Sequence, residues 1–533
     1  MKYSIKGYME FVKGFYKDMS KPRRILFTLL CICLSFYISA VTFLAYSEIH
    51  VASLLLFFIY AFVFFNLLVF FCHKLKNKYI KVNAEKSKLN KRTFFFCSLI
   101  CFVILFVTFL AYFPGGISPD NVSQWKQIQS FEFDNWHPVF HTFLMYLTTR
   151  IVNSYPFVIF VQIVFFSIAM GYLLSTLESW GFSKKVLMTV ELFVVLNPLV
   201  RNLLMYGWKD AALTIFLMFL FSFVTNIYFT DGLWFSRMRN VVLLSVLTAF
   251  ATLVRHNAFF YTLPLVLFIV LFYFKKSKKT IFLPAAVLAI YFLVVGPFYN
   301  MLNVTKPDNV FSESVGIPMT IMGDVMKKNM EVLPEKTRNF LLDIAPAEKW
   351  EEVYECGNYN SIKFESMHQE VVNNISAREF FVMTLDTIKR DPKNSFLAVR
   401  ELTGFVWKVS GEGARINVVT NGEEIGYTYK NTFINRFCMF FVRIVDMAIN
   451  IPVMETIFAL FGVQMLVLMM VGLFSIQRNG AKTLMFVIPN LAYNLGTMLL
   501  LCGKDYRFFH FNLVLTTSAC LVMLARQADV IKD

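Results

Sequence analysis

Ionisable side chains stand at the ends of long apolar runs at four places in this sequence, far apart along the chain. They are Asp120 in SPDN, Lys209 and Asp210 in MYGWKDAAL, Arg255 in TLVRHNAFF and Arg507 in GKDYRFFH. Charged groups are costly at membrane depth, and where they occur they are usually functional. A carboxylate can accept a proton from a hydroxyl group, and arginine and lysine can bind a phosphate group. These residue types predict chemistry on a phosphate-bearing substrate at a membrane.

The composition is that of a membrane protein. Of the 533 residues, 57% are hydrophobic and only 16% are charged, whereas soluble domains carry about 25% charged residues. The net charge of +16 lies mostly in short loops between apolar runs, which indicates membrane orientation rather than nucleic-acid binding. The nine cysteines lie mostly in apolar runs and form no CxxC pair, so neither a disulfide framework nor a cysteine metal site is expected.

Apolar runs of roughly 15 to 24 residues predict membrane-spanning helices. The expected fold class is an all-α polytopic membrane protein with about 12 transmembrane helices. The predicted spans are 25–46, 51–72, 93–112, 156–177, 186–203, 211–229, 240–254, 258–274, 280–300, 455–476, 482–501 and 508–526. Two further runs, 137–152 and 436–450, are expected to lie at the interface or to insert partly, the second because it carries Arg443 and Asp446.

Basic loops predict the orientation of the chain. Residues 73–92 hold eight basic residues and one acid, and smaller basic groups stand at 21–24, 183–185, 237–239, 275–279 and 478–482. Strict alternation of the spans puts all of these on one side, which the positive-inside rule makes the cytoplasm. We therefore expect a multi-pass protein of the cell (plasma) membrane with both termini cytoplasmic and the four ionisable clusters outside.

Four regions follow from this topology. They are 1–92, an N-terminal cytoplasmic segment with two extra transmembrane helices; 93–300, a transmembrane core with the first outer loop at 113–155; 301–435, a mostly helical extracytoplasmic domain; and 436–533, the C-terminal transmembrane helices. Within the third region, 335–355 and 380–409 predict amphipathic helices. Residues 411–427 predict turns and a short hairpin.

Ordinary structural roles compete with the functional ones for the acidic residues and histidines. Asp120 could cap the short helix that follows it, and Asp134 in FDNWHP is a turn former. Helix packing is favoured over metal binding for His137 and His141, because no further ligand motif accompanies them. The remaining candidates have similar alternatives: Lys209 and Asp210 could start a span, and Arg255 and Arg507 could reach lipid headgroups.

The order of motifs resembles the GT-C glycosyltransferase superfamily. FPGGISPDN is followed by DNWHPVFHTFL, then by NP…WKD, RHN and a late YR before the last span, over about residues 93 to 526. Within that superfamily the pattern is similar to bacterial integral-membrane relatives of the protein mannosyltransferases and the lipid A aminoarabinose transferases. The resemblance implies a GT-C-like fold and inverting transfer of a hexose or pentose from a polyprenyl-phosphate donor. The implied acceptor is an extracytoplasmic envelope glycan, glycolipid or protein.

The resemblance also implies roles for single residues. Asp120 and Asp210 match the catalytic carboxylates, Arg255 and Arg507 match the phosphate-contacting arginines, and His137 stands where relatives often have a basic residue before proline. Lys209 and Lys504 join them as candidate phosphate ligands because they lie on the same predicted face. Further candidates on that face are Asp134, Asp505, Tyr506 and His256. Some members use a divalent cation, and both Mg²⁺ and Mn²⁺ stay open as cofactors.

Two other functions stay open. A polysaccharide polymerase or ligase would use a diphosphate-linked glycan and would rely on loop arginine and histidine rather than on an acid in the first loop. A lipid or glycan transporter would favour broken helices, charges near the midplane and internal repeats. Here the charges stand at span ends and the sequence shows no repeat, so a glycosyltransferase is the favoured reading.

Overall fold

Helices make up most of the chain in a computed structural model, which describes residues 16, 19–46, 51–75, 77–83, 85–307, 311–365, 367–411, 413–429, 431–449 and 452–527. Apolar runs fold as helices because lipid offers no partner to backbone N–H and C=O groups, which must pair within the segment. In the described part of the chain, the one strand pair is β1 (Ile80–Val82) with β2 (Ala525–Gln527), in parallel. The expected all-α polytopic class is confirmed.

Nine helical segments among the described residues are long and apolar enough to cross a membrane, or ten if one bent pair counts as a span. They are Lys21–Phe43, Leu54–Leu75, Lys91–Ala111, Tyr155–Ser179, Lys209–Phe229, His256–Tyr273, Lys278–Met301, Phe461–Asn479 and Tyr506–Leu524. The expected number of twelve is not confirmed. Predicted span 240–254 is the shorter helix Met238–Leu253, and predicted span 482–501 consists of a 3₁₀-helix, Ala481–Phe486, and the short helix Ile488–Met498.

The predicted span 186–203 is bent by 63° between Lys184–Val195 and Pro198–Leu204. Asn197 causes the break together with the proline after it: its side chain accepts a hydrogen bond from the Leu199 N–H at 2.9 Å and so starts a new helix. A residue before proline is also disfavoured in helical conformation. The bend brings Tyr206 and Lys209, which follow it, to the end of the bundle where the first predicted outer loop lies.

The α-helices up to residue 301 are α1 (Lys21–Tyr46), α2 (Val51–Leu75), α3 (Lys91–Ala111), α4 (Pro119–Ser130), α5 (Val139–Thr149), α6 (Tyr155–Ser179), α7 (Lys184–Val195), α8 (Pro198–Leu204), α9 (Lys209–Phe229), α10 (Met238–Leu253), α11 (Phe259–Tyr273), α12 (Phe282–Leu293) and α13 (Tyr299–Met301). A π-helical turn, Val294–Phe298, joins α12 to α13. Three of the spans begin with a single turn of 3₁₀-helix, at His256–Ala258, Lys278–Ile281 and Tyr506–Phe509.

The remaining α-helices are α14 (Phe311–Ser314), α15 (Gly316–Asn329), α16 (Glu335–Ile344), α17 (Ala347–Glu352), α18 (Asn360–Lys363), α19 (Gln369–Asn374), α20 (Ala377–Arg390), α21 (Pro392–Trp407), α22 (Phe433–Ile449), α23 (Pro452–Ala459), α24 (Phe461–Asn479), α25 (Ile488–Met498) and α26 (His510–Leu524). Helices α16, α17 and α21 fall within the ranges predicted as amphipathic, and α20 begins three residues before the second range. Asp391 separates the last two: it ends α20 and caps α21, accepting from the Asn394 N–H at 3.0 Å.

The loops gather at two opposite ends of the bundle. At one end, which we call the basic end, the Asn83 N–H donates to the Trp180 carbonyl at 2.8 Å and Lys482 pairs with Asp231 at 3.4 Å. The other end, the site end, carries the loops at 113–118, 131–138 and 499–505 together with the polar segment, residues 301–435. Which end faces the cytoplasm stays a prediction, and the chain termini at 1–15 and 528–533 lie outside the described residues.

The polar segment has an apolar core of its own, formed by buried residues between Val315 and Met383. Its later helix α21 instead joins the core of the membrane helices through Leu402 and Val406. The predicted hairpin at 411–427 is a turn closed by hydrogen bonds between Gly422 and Tyr427, and its described residues form no further strand pair. Helix α22, which covers most of the run 436–450 predicted to lie at the interface or to insert partly, is amphipathic; it has 17 residues with three charges, Arg436, Arg443 and Asp446, and is not among the candidate spans. Residue 450 lies outside the described residues.

Candidate functional site

The two glycines of the first motif bring its loop against the residues that precede Lys209. Gly115 has a φ of 112°, which side chains other than glycine rarely adopt. A Cβ on Gly116 would lie 2.7 Å from ring carbons of Tyr206, and the Gly116 N–H donates to the Met205 carbonyl at 2.7 Å. The PGG motif therefore lets the loop at 113–118 pack backbone to backbone against the segment that precedes α9.

Residues 416–419 of the polar segment hydrogen-bond to both sides of this contact, at Ile117 and at Tyr206. The Ile117 N–H donates to the Val419 carbonyl at 2.7 Å. The Tyr206 hydroxyl donates to the Asn417 carbonyl at 2.7 Å and accepts from the Val419 N–H at 2.8 Å. The polar segment thus fixes the loop from which α4 begins.

Ser118, rather than Asp120, caps helix α4. The Ser118 side chain accepts a hydrogen bond from the Asn121 N–H at 3.4 Å and also from the Trp208 indole at 2.8 Å. Asp120 stands in the first turn of the helix, where the positive end of the helix dipole favours a carboxylate. The capping role considered for Asp120 is therefore wrong, and its carboxylate is available for contacts across the loop.

Two cations converge on the Asp120 carboxylate. Arg507 Nη1 lies 2.8 Å from Asp120 Oδ2, and Lys209 Nζ lies 3.6 Å from the same oxygen. Lys209 Nζ also contacts His137 Nδ1 at 3.0 Å. Arg507 is shared with a second acid, because its Nε donates to Asp505 Oδ2 at 2.7 Å. Five predicted residues from three distant parts of the chain therefore form one connected network.

Burial and charge set the protonation of this network. Burial acts to raise the pKa of Asp120, but Arg507, Lys209 and His137 outweigh it and hold that pKa well below its usual range. Burial, together with the charge of Lys209, lowers the pKa of His137 to about 3. Burial raises the pKa of Asp505 more than Arg507 beside it lowers it. At neutral pH the network therefore holds an ionised Asp120 and a neutral His137.

Asp210 and Arg255 form a separate ion pair beside this network. Their side chains are 2% and 5% exposed, and the pair joins Arg255 Nη1 to Asp210 Oδ1. Arg255 Nε also donates to Asn257 Oδ1 at 2.6 Å. The Phe508 ring lies near both arginines: the Arg255 guanidinium is 4.2 Å and the Arg507 guanidinium 5.4 Å from its centroid. Asp210 and Arg255 therefore form a buried ion pair of their own beside the Asp120 network.

A cavity of about 980 Å³ opens above the network. Six of the predicted residues line it, namely Asp120, His137, Lys209, His256, Asp505 and Arg507. Its size lies at the upper end of the range for small-molecule sites, about 300–1,000 Å³, so it has room for more than a phosphate group. The polar segment contributes Glu313, Asn360, Lys363 and Phe364 to its wall.

The other predicted residues lie elsewhere. Asp134 holds a turn, accepting from Gln127 Nε2 and from the Trp136 N–H, both at 2.9 Å. Lys504 is exposed and Tyr506 packs its ring on Phe405, with centroids 5.0 Å apart. Neither is among the described residues that line the cavity. Asp134 does line a larger groove of about 1290 Å³ on the other side of α4, but that groove lacks Asp120, Lys209 and Arg507.

An apolar cleft adjoins the cavity. It has a volume of about 340 Å³ and runs between α10, α11 and α12, lined by side chains such as Val266, Val287 and Leu288. The cleft and the cavity share two residues, Asn135 and His256. Leu263 and Leu288 on its walls are 55% and 54% exposed, so the cleft is open to the lipid side of the bundle. A π-helical turn at Val294–Phe298 shapes its end, as such turns often do beside functional sites.

Comparisons with known proteins add no relative. The chain matches no protein-family model, no curated protein and no solved structure. The resemblance to the GT-C superfamily therefore rests on the order of the sequence motifs alone.

A divalent cation does not fit beside Asp120. The carboxylate already faces Arg507 and Lys209, and a metal ion would meet both positive charges. In the described ranges no group of three or more His, Cys, Asp or Glu side chains is placed to hold a metal ion. His141, the partner of His137 at i+4, instead contacts Gln124 through Nδ1 at 3.0 Å.

The sequence reasoning missed the residues that the polar segment adds to the cavity. No sequence motif marks Glu313, Asn360, Lys363 or Phe364. The pattern of their region predicts only a mostly helical domain. One signal was present in SVGIPMTIMGDV, residues 314–325. A Cβ on Gly316 would overlap the Leu501 carbonyl oxygen, so this glycine allows the polar segment to sit directly on the backbone that leads to Asp505 and Arg507.

Proposed function

We propose that this protein is a membrane glycosyltransferase that moves a sugar from a polyprenyl-phosphate donor to a hydroxyl group of an extracytoplasmic acceptor. The observation that carries the proposal is the contact of Arg507 and Lys209 with Asp120 in a cavity that adjoins an apolar cleft. Such a site combines a phosphate-binding end, a carboxylate base and a place for a lipid chain. The GT-C-like family membership, the envelope acceptor and the plasma-membrane location with cytoplasmic termini are parts of the same proposal.

The phosphate end consists of Arg507 and Lys209. Their side chains are 18% and 16% exposed, so they reach the cavity while water is partly excluded. Charge-assisted hydrogen bonds are strongest in such an environment. When the bond between the sugar and the phosphate oxygen breaks, the phosphodiester anion becomes a phosphomonoester with a second negative charge. Two cations placed beforehand at that oxygen stabilise the growing charge.

Asp120 is the proposed base. An acceptor hydroxyl attacks the anomeric carbon, its proton passes to the Asp120 carboxylate, and the lipid phosphate leaves with the bonding electrons. In the free protein Arg507 and Lys209 keep Asp120 ionised but weakly basic. A donor phosphate would share those two cations and so raise the basicity of Asp120 when the substrate is in place.

The cleft supports a lipid-linked donor. Its walls are apolar and open to the lipid side, and it meets the charged cavity at Asn135 and His256. A polyprenyl chain in the cleft would leave its phosphate at the cavity, because the two spaces share these residues. A transporter would not need a carboxylate base in the cavity, and a polymerase or ligase would need room for a diphosphate. Both remain the alternatives against which the test is designed.

Mass spectrometry of envelope glycans tests the proposal. Cells that carry the wild-type gene, no gene or Asp120→Asn are compared at equal protein levels. We expect one sugar modification to disappear in the null strain and in Asp120→Asn, and Glu132→Gln, an exposed acid near the same loop, to keep it. Glycans that are the same in all four strains would exclude a glycosyltransferase, and loss in the null strain alone would exclude Asp120 as the base.

A further inference from the structure

The polar segment contributes a wall to the cavity that differs chemically from the phosphate end. Lys363 is 1% exposed and pairs with Glu313, which is 30% exposed. Because the two opposite charges compensate each other, this wall carries no net charge. Asn360 adds an amide group to it, so the wall offers hydrogen-bond donors and acceptors without attracting an ion.

An exposed aromatic ring stands beside that pair. Phe364 is 70% exposed, and Lys363 Nζ lies 4.7 Å from its ring centroid. Burial of aromatic rings is a large source of binding energy, so an exposed ring on the wall of a polar cavity is a contact surface for a ligand. A sugar matches it, since one face of a sugar ring is formed by C–H groups and its edge carries hydroxyl groups.

The position of this wall relative to Arg507 is fixed by backbone contacts. The Asn360 N–H donates to the Cys502 carbonyl at 3.0 Å, and Cys502 Sγ contacts the Glu313 carbonyl at 3.2 Å. Residues 501–503 lead directly into Asp505 and Arg507. The distance from the phosphate end to Asn360 and Phe364 is therefore set by the fold and does not depend on a mobile lid.

We infer that Glu313, Asn360, Lys363 and Phe364 bind the transferred sugar of the donor, and that this sugar is uncharged and rich in hydroxyl groups. The inference rests on the proposed function. The sugar is joined directly to the phosphate, so with the phosphate at Arg507 it must occupy the adjoining part of the cavity. A charged sugar would lose its hydration in the cavity and gain no net attraction from the compensated pair of Glu313 and Lys363, whereas a neutral hexose can hydrogen-bond to the same wall without that cost.

Donor binding by the full-length protein in lipid nanodiscs tests the inference. The ligands are polyprenyl phosphate without sugar, polyprenyl-phosphate hexose and polyprenyl-phosphate hexuronic acid. The variants are Phe364→Ala and Asn360→Ala, and the control is Phe381→Ala, which removes a 48% exposed ring of the same segment outside the cavity wall. Thermal unfolding is used to check that each variant is folded before its binding is measured.

We expect each cavity variant to lower the affinity for the hexose donor by about tenfold, the effect of one or two hydrogen bonds or ring contacts. The affinity for the sugar-free lipid and the behaviour of Phe381→Ala should not change. Equal losses for both lipids, no loss for either, or preference of the wild type for the hexuronic acid would overturn the inference and leave the proposed function standing. Wild-type protein that binds none of the three lipids would instead contradict the proposed function itself.

Discussion

Arg507 Nη1 lies 2.8 Å from Asp120 Oδ2, although the two residues are 387 positions apart in the sequence. The contact joins α4, the helix that follows the PGG motif, to the 3₁₀ turn at the start of the last membrane helix. Arg507 also donates through Nε to Asp505, so a single guanidinium group orients the carboxylates of Asp120 and Asp505.

Replacing Asp120 by Asn should abolish sugar transfer while leaving the fold intact. The amide keeps the size of the side chain but cannot accept the acceptor proton, and loss of a general base costs about 10²–10⁴ in rate. Transfer is measured with a labelled polyprenyl-phosphate sugar, and unfolding temperature is measured in parallel. Transfer within threefold of wild type, at about the same stability, would mean that Asp120 is not the base.

Replacing Arg507 by Lys should weaken donor binding by about tenfold, because one ammonium group cannot hold Asp120 and Asp505 at the same time as a phosphate. Lys504→Gln serves as the matched control, since Lys504 is exposed and is not among the described residues that line the cavity. Donor affinity is measured in nanodiscs. A larger loss in Lys504→Gln than in Arg507→Lys would move the phosphate site away from Arg507.

Replacing Arg255 by Met should destabilise the protein by about 3–5 kcal/mol, because it leaves the buried carboxylate of Asp210 without its partner. Changing Asp210 to Asn in the same protein should recover a large part of that loss, since no unpaired charge then remains. Thermal unfolding in detergent measures both variants. If the double variant is less stable than Arg255→Met alone, the two residues do not act as a compensated pair.

Stability should fall as the pH is lowered from about 6.5 towards 3, partly through His137. The pKa of His137 is lowered by burial to about 3, whereas an unfolded histidine has a pKa near 6.5. Between these values the unfolded chain binds a proton that the folded chain does not, so stability rises with pH there and is fully present above about 6.5.

Unfolding temperatures of the wild type and of His137→Gln at pH 7.5 and pH 5 measure this effect. The variant should lose less stability between the two pH values than the wild type does. His368→Gln, at an exposed histidine of the polar segment, should show the full wild-type loss. An identical pH dependence in His137→Gln and the wild type would show that His137 does not contribute.

Much of this arrangement could be anticipated from the sequence, and the reasons for the misses are physical. Apolar runs dictate helices in lipid, and the alternation of basic loops grouped Asp120, His137, Lys209 and Arg507 on one face. Their roles stay predictions. The bend at Pro198 was not foreseen, although an Asn-Pro pair is a known helix boundary, and it accounts in part for the unconfirmed number of spans.

The depth of each charged residue could not be read from the sequence. Asp210 and Arg255 stand at span ends like their neighbours, but they are buried against each other and are not among the described residues that line the cavity. The contributions of Glu313 and Lys363 were equally hidden, because both lie in a long polar stretch where charged residues are common. Local pattern shows which residues share a face, and tertiary packing decides which of them reach a ligand.

The contact of Gly316 with the Leu501 carbonyl has a pharmacological consequence. The polar segment rests on the loop that leads into Arg507. An antibody or a macrocycle that shifts α15 would therefore displace the Arg507 guanidinium group. With the proposed topology and function, such a molecule would inhibit sugar transfer from outside the cell, without entering the bilayer or competing with the lipid donor.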